Sequence, residues 1–248
     1  MKHLLTLLLL LGVASSALGQ IGGTVQNRPY TDLRPFHFGI LVGTHLQDIE
    51  MRNVGPQTMT ADDGTTYESI VTADEDRWDP GLNVGVLGEA RLTENFQFRI
   101  APAIYFGNRH ISFRDLTHRD SKGNPTEKNQ DLKTVYVSAA FDLIFSGPRN
   151  GNHRPYLMAG LNPMINLSNH RDDFLELKKQ DLYLEIGAGC DFYLEFFKLR
   201  PELKFLYNLT DSYNSSHIND IKDVNMMPFA RSVNRSRTKM FVLTFYFE

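Results

Sequence analysis

The chain has 248 residues, a net charge of −3, 42% apolar residues and a single cysteine. So mild a charge points to no nucleic acid or strongly charged partner, and one cysteine excludes an internal disulfide framework. Beyond the N terminus no segment approaches the roughly eighteen consecutive apolar residues of a membrane helix.

Lys2 and His3 precede the apolar run "LLTLLLLLGVA" and the small-residue stretch "SSALG". That order of charge, grease and small residues is a secretory signal peptide. It is assigned to residues 1–19, with processing near Gln20, a periplasmic segment at 20–33 and a single domain at 34–248.

Eight stretches then alternate apolar and polar side chains with a period of two, the signature of antiparallel strands. The first, "RPFHFGILVGTHLQ", sets Phe36, Phe38, Ile40, Val42 and Leu46 on one face. The second, "GLNVGVLGEARL", opposes Leu82, Val84 and Val86 to Asn83, Glu89 and Arg91. In the third, "FQFRIAPAIYFGNRHISF", Phe96, Phe98, Ile100 and Ile104 oppose Gln97, Arg99 and Tyr105. In the fourth, "KTVYVSAAFDLIF", Val137, Phe141 and Phe145 oppose Tyr136, Ser138 and Asp142. The fifth is "RPYLMAGLNPMIN". The sixth and seventh form the hairpin "YLEIGAGCDFYLEFFKLRPELKFLY", with Cys190 on the apolar face as a small hydrophobe. The eighth, "KMFVLTFYF", ends the chain.

The connections alternate in length. Those at 48–79, 116–131, 168–180 and 208–236 are long, and those at 93–95, 146–154 and 195–198 are short or medium. Soluble domains seldom carry several long structureless loops, whereas a transmembrane barrel has short periplasmic turns and long outer loops. The expected fold is therefore all-β, an eight-stranded antiparallel transmembrane β-barrel in the outer membrane, with both termini in the periplasm.

Charge obeys the same division. Glu89, Arg91, Arg99, Glu185, Asp191, Arg200, Glu202 and Lys204 share the polar faces of their strands, opposite faces without charge. An outward charge at mid-membrane costs about 2–4 kcal/mol, so these side chains are expected inside, as a paired lumen network. Phe36, Phe96, Phe98, Phe145, Phe197 and Phe247 fall beside the short turns and the termini. There they would form a periplasmic aromatic girdle.

No reaction is visible. Eight strands enclose an interior that side chains fill. His45 and Ser138 can both face inward, but nothing in the sequence brings them together. "HRDSKGNPTEKNQD" and "ADDGTTYE" lack metal-ligand spacing, and no phosphate loop opens a helix. The expectation is a monomeric barrel that is not an enzyme, binds neither metal nor cofactor, and has outer-membrane lipid as its constant partner.

"RPFHFGILVGTHLQDIEM", "VYVSAAFDLIFSGPRNGNHRPYLMAGL" and "DLYLEIGAGCDFYLEFFKLRPELKF" together resemble the PorT (SprT) family of Bacteroidetes outer-membrane proteins. The resemblance implies an accessory part in type IX protein secretion and gliding motility, with other secretion-machinery proteins as partners. The loops 48–79 and 208–236 and the turn "SGPRNGNHR" are the expected docking surfaces. A generic small barrel with a structural or adhesive role is the alternative, and a barrel enzyme acting on lipid or protein stands behind both.

Overall fold

A computed structural model describes residues 25–60, 64–119, 122–168, 174–221 and 226–248. The signal peptide expected at 1–19 lies outside the described residues, as do residues 20–24 of the N-terminal segment.

Ten antiparallel strands make the fold: β1 (Phe36–Asn53), β2 (Pro56–Thr60), β3 (Thr66–Arg77), β4 (Pro80–Arg91), β5 (Phe96–Arg119), β6 (Pro125–Ser146), β7 (His153–Asn166), β8 (Gln180–Tyr193), β9 (Lys198–Asn208) and β10 (Val233–Phe247). Eight of them, β1, β4, β5, β6, β7, β8, β9 and β10, pair in succession, and β10 returns to β1. The ring leaves no open edge at membrane level, as lipid demands of a spanning sheet.

The grease faces outward. Phe38 is 75% exposed, Leu82 63% and Leu157 61%, while Arg99 is 0% and Arg200 and Glu202 are each 1%. In water this would be an inverted protein, but in a bilayer it is the stable arrangement. The apolar belt ends level with the pairs Leu46↔Phe241 and Phe106↔Val135. Trp78 stacks on Phe241 at that boundary, with ring centroids 5.8 Å apart.

Two of the expected long loops are mostly strand. The stretch 48–79 holds the end of β1, the β2–β3 hairpin and a break at only Trp78 and Asp79 before β4. The stretch 116–131 is mostly the paired ends of β5 and β6, which leave 120–124 as the connection. The cause is a second apolar core above the lipid belt. Val71, Ala73, Ile111, Phe113 and Leu132 point inward there, so continuing the ladder buries grease and satisfies backbone polar groups together. The stretch 208–236 remains mostly a loop, with a 3-10 turn at Ser215–Asp220 and a helical turn at Met227–Ala230.

The orientation is open to direct labelling. Ser216, exposed in the long β9–β10 connection, and Glu195, exposed in the tight β8–β9 turn, stand at opposite ends of the barrel. In a Cys190→Ser background, Ser216→Cys should react with an impermeant maleimide on intact cells. Glu195→Cys should react only after the outer membrane is opened, and the reverse pattern would invert the topology.

Candidate functional site

The interior is layered, and each layer follows from the inward register of the strands. Nearest the short turns lies a charged layer. Arg99 on β5 stands opposite Asp142 on β6 and Glu89 on β4. Its Nε donates to Asp142 Oδ2 at 2.9 Å and its Nη2 to Glu202 Oε1 and Oε2 at 3.0 and 2.9 Å. Tyr156 and Tyr246 donate their hydroxyls to the same Glu202 carboxylate, at 2.8 and 3.0 Å. The Arg99 guanidinium also lies 4.4 Å from the Tyr246 ring centroid.

Arg200 centres a second cluster. It meets Glu89, Asp191 and Glu248, each at 2.6 Å, and Lys198 Nζ meets Glu248 Oε2 at 2.5 Å. Lys204 lies 3.4 Å from Glu185, whose other oxygen accepts from Asn162 Nδ2 at 3.0 Å. Charges taken out of water persist only where partners and further hydrogen bonds compensate them, and the tyrosines and Asn162 supply those bonds.

Of the eight charges expected in the lumen, Arg91 stands apart. It is half-buried at the rim and donates to the carbonyls of Thr93 (3.2 Å) and Leu33 (3.5 Å). The other seven are buried. Asp142, Lys198 and Glu248 belong to the same clusters and are missing from the sequence-based set. Asp142 was on the polar face of its strand, and Lys198 sits two residues before Arg200 in phase with it. Glu248 likewise continues the inward phase of Val242, Thr244 and Tyr246, opposite the face of Phe241, Leu243, Phe245 and Phe247.

Inward glycines make room for the long side chains. A Cβ at Gly160 would meet Asp142 Oδ1 at 2.3 Å, and one at Gly189 would meet the Tyr156 ring at 2.4 Å.

The residues expected as an aromatic girdle lie near the short-turn end. Phe36, Phe96, Phe145 and Phe197 are exposed, and Phe98 and Phe247 are half-buried. Phe96 packs on Phe145 at 5.2 Å and Phe197 on Phe247 at 6.0 Å.

Above the charges lies a mainly apolar belt with Leu41, Leu87, Tyr105, Tyr136, Met164, Tyr183 and Leu206. His45 packs on Tyr105 here at 5.4 Å, while the Ser138 hydroxyl donates to the Ala103 carbonyl at 3.2 Å. The serine is thus committed to backbone, not to a base.

Higher still, fully buried Arg109 donates to Thr238 Oγ1 (3.1 Å) and Gln47 Oε1 (3.2 Å), with no carboxylate in ion-pair range among the described residues. A lid closes the top. Phe174, Leu175 and Phe229 fold onto Phe113, with the three phenylalanine rings 5.3 to 6.1 Å apart. The Gln130 side chain holds both the N–H and the carbonyl of Leu175, at 3.1 and 3.0 Å.

One seam in the outer wall is closed by side chains. Past Leu46, β1 no longer pairs with β4, and the Ile49 N–H donates to Glu75 Oε2 at 2.5 Å. Asn53 bridges the same gap to the Ala73 carbonyl and N–H, at 3.1 and 2.8 Å. Burial pushes the Glu75 carboxyl up to about 7, against the opposing pull of Arg109 and the Ile49 N–H.

A family model described as the outer membrane protein beta-barrel domain matches residues 24–214. The chain belongs to that family. It is an outer-membrane protein. Among solved structures it is similar to the outer membrane protein OprG from Pseudomonas aeruginosa, at 16% identity over 85% of this chain and 93% of that one, with a TM-score of 0.45. It is also similar to Neisserial surface protein A, at 12% identity over 86% and 98%, with a TM-score of 0.40. A third is Ail, the attachment invasion locus protein of Yersinia pestis, solved with the heparin analogue sucrose octasulfate, at 11% identity over 86% and 99%, with a TM-score of 0.38. No curated protein sequence matches the chain.

Two measurements test this interior. Arg99→Gln leaves Asp142 and Glu202 without their shared cation and should lower stability by about 3–5 kcal/mol, read as an earlier urea midpoint. At the seam, the raised Glu75 value means that the folded state holds a proton the unfolded chain releases near 4.5. Its stabilising contribution is complete below that value and is lost as pH rises through about 7. Wild type should therefore lose stability between about pH 5 and pH 8 more steeply than Glu75→Gln, and parallel profiles would refute the assignment.

Proposed function

We propose that the protein is a closed, non-conducting outer-membrane barrel with a structural or adhesive role, working through its extracellular surface. The observation that carries this reading is the filled lumen: paired charges, an apolar belt and an aromatic lid lie one above another. Among the described residues these layers occupy the lumen from the short turns to the lid, and none of the described polar clusters has the arrangement of a catalytic site. What remains available is the outside. Above the lipid belt the sheet rises as the β2–β3 hairpin and the paired ends of β5 and β6. A rigid sheet that presents loops is the usual support for binding residues. In the membrane the barrel acts as a monomer, with lipid covering its apolar belt.

The second reading is an accessory role in type IX protein secretion and gliding motility. It is favoured by the three segments that resemble the PorT family, and it needs a docking surface for a partner of the machinery. On this surface Asp48 pairs in register with Lys239 and Glu50 with Arg237, and Lys239 Nζ lies 2.5 Å from Glu50.

Deleting the gene in its host separates the readings. The expected result is unchanged secretion and gliding with altered adhesion or envelope permeability. Loss of secreted enzymes together with gliding would replace the first reading by the second, and a changed lipid composition would point to an enzyme.

A further inference from the structure

At the short-turn end, the segment Val25–Asp32 crosses the mouth of the barrel and is held there through both its backbone and its side chains. Asn152, in the turn between β6 and β7, donates its Nδ2 to the Val25 carbonyl at 3.0 Å, and its Oδ1 accepts from the Asn27 N–H at 2.8 Å. Arg149, in the same turn, donates to the carbonyls of Asn27 and Arg28. Its guanidinium lies 3.5 Å from the ring centroid of Tyr193, the last residue of β8, and its side chain is 9% exposed. Three side chains of the segment add four contacts that set its register. Asn27 Nδ2 donates to the Tyr193 carbonyl at 3.0 Å, and Arg28 Nη1 to the Glu248 carbonyl at 3.0 Å. The Asp32 carboxylate accepts from the Tyr193 hydroxyl at 2.7 Å and lies 3.6 Å from Arg149.

Two features separate this arrangement from an ordinary chain end. The ring is already closed by β1 and β10, so the segment adds nothing to barrel closure. Arg28 is also held at a φ of 48°, in the left-handed region that a residue with a side chain seldom adopts. Such a conformation persists where surrounding bonds impose it. Beneath the strap lies a polar cavity lined by Asp32, His37, Glu89, Asp191 and Lys198.

We propose that Arg149, Asn152 and Tyr193 form a peptide-binding clamp on the periplasmic rim. Its ligand class is an extended polypeptide segment read through its backbone, with an asparagine and, five residues on, an aspartate. Residues 25–32 are the occupant in cis, and a periplasmic segment of the same chemistry exchanges with them, opening the mouth as the strap leaves. The clamp is independent of the role proposed for the outer surface. Only a few residues tether the strap to β1, so its effective concentration is of millimolar order or higher. A ligand in trans must be abundant or must make further contacts.

The test uses the full mature chain in detergent micelles and chymotrypsin, which cuts after Tyr30, 76% exposed on the strap. Cleavage there, followed by mass, should be slow in wild type and several-fold faster in Arg149→Gln. It should also be faster in Asp32→Asn, which alters the strap and leaves the ring untouched. The peptide VQNRPYTDL carrying Tyr30→Ser, at several millimolar, should speed cleavage of wild type and have no effect on Arg149→Gln. Equal cleavage rates in wild type and both variants would overturn the clamp. Faster cleavage in the variants with no effect of the peptide on wild type would overturn exchange and leave a fixed strap.

Discussion

The structure depends on one constraint: within lipid no backbone N–H or C=O can be left to water. A sheet meets it only by closing on itself, which is why β10 returns to β1 along fourteen registered pairs. Closure with eight strands then sets the second condition. The interior is narrow enough for side chains to fill, so every inward residue must be accommodated by other inward residues. The paired ions, the inward glycines at 160 and 189 and the tyrosine hydroxyls that complete Glu202 all answer that condition.

The layers differ because their surroundings differ. At the short-turn end, carboxylates and guanidinia from five strands, together with the chain's last residue, bind one another across the barrel. Such pairs contribute modest net stability against apolar replacements, but breaking one is costly, so they hold the strands in a single register. Above the lipid belt the outside is water, and the interior is grease again, with Phe113, Phe174 and Phe229 at its centre. Here the protein is an ordinary β-domain with an apolar core, standing on a membrane barrel whose polarity is inverted. Arg109 lies between the two regimes, held by neutral oxygens from Thr238 and Gln47.

Both ends of the barrel are covered, by different means. The upper lid is apolar and packed, an integral part of the second core. The lower strap is polar and lies on a rim that is complete without it. Hydrogen bonds near water exchange more readily than buried aromatic contacts, because water replaces each lost partner.

The sequence by itself determined the strand alternation, the number of membrane strands, the outward grease and the compartment. These rest on a local period of two and on where lipid tolerates charge, so Phe36, Phe38 and Ile40 or Arg200, Glu202 and Lys204 declare their faces from a few neighbours. Tertiary structure decided the rest. Arg99 and Glu202 are 103 residues apart and meet only across the lumen, and no local pattern says that Arg91 leaves the network for the rim. The loops misled for a related reason. Charged outward residues at 48–79 masked an inward apolar phase with Met51, Val71 and Ala73, which is stabilising only once Leu175 and Phe229 fold in from distant connections. Pairings on one strand can be read from spacing, whereas those that depend on closure exist only after the ring has formed.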